Sequence, residues 1–92
     1  MADSVRDNPA LHRYELDVEG HTAFAEYRLA ADTITFVHTS VPKELSGRGI
    51  GSILAKGALE GVRKRGLRVV AKCPFIAGYI DKHPELQDLL AG

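Results

Sequence analysis

Three glycines at alternate positions, Gly47, Gly49 and Gly51, stand just ahead of a long helical pattern, and their spacing is the clearest chemical signal in the chain. Backbone N–H groups at a helix start lack intrahelical acceptors and lie at the positive end of the helix dipole, so several turned inward can replace the hydration of a phosphate. Glycine lets the phosphate come close to the backbone. Two other phosphate loops fail on spacing. Ser52 stands where the last glycine of a dinucleotide fingerprint belongs, and Val69 and Val70 occupy the region about 20 residues on where that fingerprint needs an acid. No Gly-Lys-Ser/Thr follows these glycines at the Walker spacing. Spacing alone still permits a plain glycine-rich loop.

Two further side chains are candidates for chemistry. Cys73 sits at a strand end just before a helix start, where the helix dipole favours negative charge. It reads equally well as a small buried hydrophobe. His38, on the strand leading to the turn, could serve as a base. Strand alternation puts it on the face of Ile34 and Phe36, which is also the setting of a hydrogen-bonded core histidine. His83, before Pro84, reads as structural.

These residues need elements to hold them. Residues 1–10, with the turn-prone Asp7-Asn8-Pro9, have no apolar period and are expected to be a flexible lead-in. From Arg13 to Val18, Tyr14, Leu16 and Val18 alternate with charged residues, the period-two pattern of a half-buried strand. Glu19-Gly20 supplies a turn into a second alternating run, Ala23 to Leu29, so the two pair as a hairpin. Thr33 to Thr39 is a third strand, rich in β-branched and aromatic residues. Pro42 cannot donate to a ladder, so pairing should end near Val41 and release the backbone there.

After the turn, Ile50, Ile53, Leu54, Ala58 and Val62 recur at helical spacing to about Arg65, opposite Ser52, Lys56, Glu60, Arg63 and Lys64. Gly57 and Gly61 lie inside this helix, each at a cost of about 1 kcal/mol against alanine, which points to close approach of helix and sheet. Gly66 stops it. Leu67 to Cys73 is a buried strand, Ile76 to Lys82 a short helix, and Glu85 to Leu90 a further helical turn. The fold class is α+β: an antiparallel meander joined to a β-turn-α-β unit with a parallel, right-handed crossover.

Composition narrows the setting. At 92 residues the chain makes one domain, residues 1–92. With 45% hydrophobic and 26% charged residues it reads as an ordinary globular protein. Its apolar runs are far too short for a bilayer, its N-terminus lacks a signal-peptide core, and its single cysteine fits a reducing compartment, so a cytoplasmic location is expected. The zero formal charge hides a segregation: residues 48–72 hold seven bases against Glu60 alone. With no interleaved aromatics, this favours a compact polyphosphate ligand over nucleic acid.

Val41-Pro42, the turn Ser46-Gly47-Arg48-Gly49-Ile50-Gly51-Ser52 and the following Leu54-Ala55 resemble the acetyl-CoA-binding signature of the GNAT superfamily of N-acetyltransferases. Cys73-Pro74-Phe75, Tyr79 and His83-Pro84-Glu85 resemble the short stand-alone GNAT-like proteins, over roughly residues 12 to 85. The resemblance implies that Val41 offers its backbone to pantetheine or the thioester carbonyl, while Gly47, Arg48, Gly49, Ile50, Gly51 and Ser52 cradle the pyrophosphate of acetyl-CoA.

Two features depart from the family pattern. Ser46 stands where Gln or Arg is usual, and the stretch before the first strand is too short for the substrate-covering helices of longer members, which implies an open acceptor site. Acetyl transfer needs a base for the ammonium, donors for the carbonyl and an acid for the departing thiolate. Tyr79 lies where many members keep that acid, although it also reads as a packed aromatic. Cys73, Tyr79 and His38 are thus the catalytic candidates. The resemblance implies direct attack by a lysine side chain or a small amine, with a CoA or acyl-CoA binding module as the alternative. No metal, membrane or nucleic-acid partner is expected, and the protein should be a monomer or weak dimer.

Overall fold

The computed structural model describes residues 5–45 and 47–90. A five-stranded sheet in the order β1-β2-β3-β4-β5 is formed by β1 (Arg6–Asn8), β2 (Arg13–Val18), β3 (His21–Ala30), β4 (Thr33–Ser40) and β5 (Arg68–Ala71). The first four strands run antiparallel and β5 pairs parallel to β4, as the crossover through one helix requires. Helix α1 (Ile50–Lys64) makes that crossover, and α2 (Pro74–Asp81) follows β5. Short 3-10 turns occupy Pro9–Leu11, Lys43–Leu45 and Pro84–Leu89. The expected α+β architecture is the observed one, with the last helical segment wound as 3-10 helix.

The core lies between the inner face of the sheet and α1. Tyr14, Leu16, Ala23, Ala25, Tyr27, Ile34, Phe36 and Val69 meet Leu54, Ala55, Ala58, Leu59 and Val62, all buried. The helical glycines are there for close approach. A Cβ on Gly61 would come within 3.1 Å of the Tyr14 ring, and one on Gly57 within 2.5 Å of the Val5 side chain. Gly66, at φ +69°, ends the helix where a side chain would be strained.

The lead-in corrects the reading of residues 1–10 as a flexible segment; residues 1–4 lie outside the described residues. Arg6–Asn8 adds an edge strand to β2, and on the outer face Arg6 and Asn8 join Arg13 around the buried Glu15. Burial pushes the Glu15 carboxyl up, but the hydrogen bonds from Arg13 and Asn8 and the charge of the two arginines outweigh it and hold the group below its ordinary value. On the inner face Asp7 accepts from the Tyr27 hydroxyl at 2.5 Å and pairs with Arg65 at 3.0 Å, tying β1 to the end of α1. Period-two reasoning had no way to find this strand. It is three residues long, and its partners are polar.

One irregularity shapes the rest. Tyr27 pairs with Phe36 and Glu26 with His38, so Val37 is an extra residue in β4, a β-bulge. An extra residue inverts the alternation beyond it. Thr39 therefore takes the inner face opposite the buried Ala25, and His38 takes the outer face opposite Glu26 and is exposed. The expectation that His38 shares a face with Ile34 and Phe36 is overturned by this bulge, for which the sequence carries no glycine or proline signal.

Candidate functional site

The turn is built as the glycine spacing predicts, though its three glycines serve two purposes. Gly47 and Gly49 have φ of +80° and +72°, where a β-carbon is strained, and Gly49 forms the left-handed N-cap of α1. Gly51 has ordinary helical geometry. It is small because a Cβ there would come within 2.7 Å of the Phe75 ring on α2. A Cβ at Gly47 or Gly49 would meet nothing within 4 Å, so the space above the turn is open. Gly49 has no side chain with which to cap α1, and no acidic residue stands in the first turn of the helix. The first backbone bond of the helix comes from Ile53 N–H to the Gly49 carbonyl. Among the described residues the amides of Ile50, Gly51 and Ser52 thus have no capping partners, which suits an anion. The donor set fits a pyrophosphate.

A groove of about 270 Å³ lies over these amides, lined by Val41, Leu45, the three glycines, Ile50, Ser52 and Phe75. Six of the seven expected cofactor residues therefore come together there. Arg48 is the exception. Its guanidinium forms a two-pronged pair with Glu19 of the β2–β3 turn at 2.8 and 3.0 Å, which leaves only its backbone to the groove. Ser46, the departure from the family pattern, lies outside the described residues.

Beside the turn the sheet opens. The β4–β5 ladder ends at Phe36 and Ala71, where the Phe36 carbonyl accepts from both Lys72 and Cys73 at 3.0 Å, while β4 continues to Ser40. Among the described residues the β5-facing edge of β4 beyond Phe36 has no strand partner. A wedge results, with backbone free to pair with an extended ligand.

The catalytic candidates are spread around this wedge rather than gathered in one place. Cys73, 4% exposed, caps α2 within it, its Sγ 3.1 Å from Thr39 Oγ1. Tyr79 lies farther along α2, stacked on His83 at 4.0 Å between ring centroids, with His83 Nδ1 2.7 Å from the Tyr79 carbonyl. Burial, then the negative charges of Glu85 and Glu60, raises the Tyr79 hydroxyl above its ordinary value and keeps it a proton donor. Tyr79 lines a second groove of about 250 Å³ with Ser52, Phe75 and Lys82, which meets the first at Ser52 and Phe75. His38 stands on the outer face, its ring 6.1 Å from Phe24, over which Arg13 lies at 4.3 Å. Among the described residues no hydrogen bond or ring contact joins any two of the three.

Sequence reasoning missed Phe75, Leu45 and Thr39. Phe75 had a visible signal, an aromatic directly after the helix-initiating Pro74. Thr39 had none, because its placement depends on the bulge. The basic segment also looks different in space. Arg48, Arg63 and Arg65 are paired with Glu19, Asp88 and Asp7, so the charges separated along the chain are mixed on the surface. No helix among the described residues is long and apolar enough to cross a membrane.

Comparison with known proteins agrees with this geometry. Residues 13–89 match the family model described as GCN5-related N-acetyl-transferase. The chain superimposes on the NMR structure of a GCN5-like protein from Staphylococcus aureus, proposed to be an N-acetyltransferase, with a TM-score of 0.72 and 28% identity over 100% of this chain and 92% of that one. It is 36% identical over 52 residues to the protein NATD1 of Xenopus tropicalis, a match covering 56% of this chain and about half (48%) of that protein. The family model thus covers all of the chain from β2 to the last 3-10 turn, and the chain belongs to the GCN5-related N-acetyltransferase family.

Proposed function

We propose that the protein is an acetyl-CoA-dependent N-acetyltransferase in which an amine attacks the bound thioester directly. The observation that carries this reading is the set of amides at Ile50, Gly51 and Ser52, without capping partners among the described residues, on the same groove as Val41, the residue that follows the unpaired end of β4. The amides hold the pyrophosphate, and Val41 with the free β4 edge pairs with the pantetheine arm. The thioester then lies in the wedge near Cys73 and Thr39. In this reading the Tyr79 hydroxyl supplies the proton for the departing thiolate, and His38 takes the proton from the acceptor ammonium. Cys73 contacts the reacting end without forming an acyl-enzyme. The acceptor is an amine, on a protein lysine or a small molecule.

A second reading has one observation in its favour. The separation of Cys73, Tyr79 and His38 suits a module that binds CoA or acyl-CoA with weak turnover or none.

Isothermal titration with acetyl-CoA tests both readings, and no binding at millimolar cofactor would remove both. Release of free thiol in the presence of amines and lysine peptides then separates them: steady release supports the transferase, and its absence supports the module. If Cys73→Ala, Tyr79→Phe and His38→Ala all leave a measured rate unchanged, these roles are wrong even where the activity stands.

A further inference from the structure

The bulge at Val37 is where the two sides of the sheet meet. On one side of β4 it marks the start of the wedge. On the other it sets Glu26 opposite His38 on the outer face, where Asp17, Glu26, Arg28 and His38 are all exposed. Both α-helices pack on the inner face, and among the described residues none covers the outer one. The neighbouring outer-face acids are already satisfied: Glu15 by Arg6, Asn8 and Arg13, and Asp17 by Arg6 and Thr22. Glu26 and Arg28 have no hydrogen bond or ion pair among the described residues. They are neighbours at i and i+2 on one strand face, so their side chains stand side by side without engaging each other.

Glu26, Arg28 and Val37 also line a groove of about 230 Å³, together with Leu11 and Leu29, which are 52% and 42% exposed. The groove forms where the β2–β3 ladder stops at Arg13 and Glu26 and leaves the last residues of β3 flanked by Leu11 and His12. Its volume lies just below the range of drug-sized ligand pockets, about 300–1,000 Å³, which suits a molecule of amino-acid size. The walls present the Glu26 carboxylate, the Arg28 guanidinium, the His12 imidazole and two exposed leucines, and Glu26 is the cross-strand neighbour of His38.

We infer that this groove is the acceptor site and that its acceptor is a small aliphatic amine that also bears a carboxylate, such as a free amino acid. Glu26 holds the ammonium next to His38, Arg28 holds the carboxylate, and Leu11 and Leu29 cover the apolar part. The acceptor thereby approaches the wedge from the face opposite the helices. His38 is not a wall of the groove. It receives one proton from the ammonium as the cross-strand neighbour of Glu26, and it later passes that proton to water. The freed amine forms the N–C bond to the thioester carbonyl. As the C–S bond breaks, the Tyr79 hydroxyl protonates the thiolate, and the second amine proton replaces the one that Tyr79 gives up.

This inference rests on the proposed use of acetyl-CoA, and the test separates the two claims. Leucine and isoamylamine differ only by the carboxylate. With saturating acetyl-CoA, wild-type protein should release thiol with leucine, and Glu26→Gln should raise the KM for leucine about tenfold while kcat changes little. Glu26→Asp should recover part of the loss. Because the two amines differ in basicity, the informative quantity is their ratio of kcat/KM, which should fall about tenfold from wild type to Arg28→Gln. His38→Gln should lower kcat and flatten the acid limb of its pH profile.

All four variants sit at exposed positions, and titration with acetyl-CoA reports whether each keeps the cofactor site. Failure of wild type to bind acetyl-CoA overturns the proposed function and this inference with it. Binding without transfer to leucine, transfer confined to lysine peptides, or a ratio unchanged in Arg28→Gln overturns the inference alone.

Discussion

The glycine turn and the bulged end of β4 are adjacent, yet they are made in opposite ways. The turn works through its backbone. Its proposed ligand groups are amides, and its glycines supply positive φ at Gly47 and Gly49 and room for Phe75 at Gly51. The bulge works through side chains. One extra residue at Val37 turns His38 outward, opposite Glu26, and Thr39 inward, beside Cys73. A backbone-built site leaves a compositional mark in the sequence, whereas a side chain re-aimed by a bulge leaves none.

Substitutions can test that difference, and the largest effect belongs to the turn. Gly49→Val puts a β-branched residue at φ +72°, a strain on the order of 1–3 kcal/mol. Binding of acetyl-CoA should fall about a hundredfold or more in titration calorimetry, since the strain is relieved only by turning the amides away. Gly51→Val should also weaken binding, but through its contact with Phe75, and Gly51→Val with Phe75→Ala should regain part of the loss. Equal defects in the single and double variants would show that Gly51, too, acts through its backbone.

Glu15→Ala tests the outer-face scaffold that carries the bulged strand. Removing the carboxylate leaves Asn8, Arg6 and Arg13 without their shared acceptor and should cost about 1–3 kcal/mol in urea unfolding at neutral pH. The folded-state carboxyl is depressed, so its contribution is fully present above the unfolded value of about 4.3 and is lost as pH falls through the lower folded value. The stability gap between wild type and Glu15→Ala should therefore narrow in acid. A gap independent of pH would mean that packing, not charge, holds β1 in place.

Arg48→Ala should have the smallest effect, less than about threefold in cofactor affinity, because the side chain is occupied by Glu19 and exposed ion pairs contribute only about 0–1 kcal/mol. A loss near that of Gly49→Val would give the arginine side chain the role assigned here to the amides.

The fold was largely legible because its longer elements are strongly periodic. The β2–β3 hairpin, β4, α1 and the parallel return to β5 follow from alternation, helical spacing and Gly66. Short or polar pieces were not legible. Arg6–Asn8 becomes a strand through contacts with Glu15 and with Arg65 at the far end of α1, and no local pattern encodes those. The proposed cofactor end of the site could be read from Gly47, Gly49 and Gly51 with Val41-Pro42. The proposed acceptor end could not, because Glu26 and His38 look like unrelated strand residues until the bulge sets them opposite each other.

The most direct measurement is a titration of acetyl-CoA followed by backbone amide chemical shifts. Saturable shifts concentrated at Gly47, Gly49, Ile50, Gly51 and Ser52, extending to Val41 and the β4 edge and absent in Gly49→Val, are the predicted result. Shifts confined to other surfaces, or no saturation at millimolar cofactor, would contradict the account.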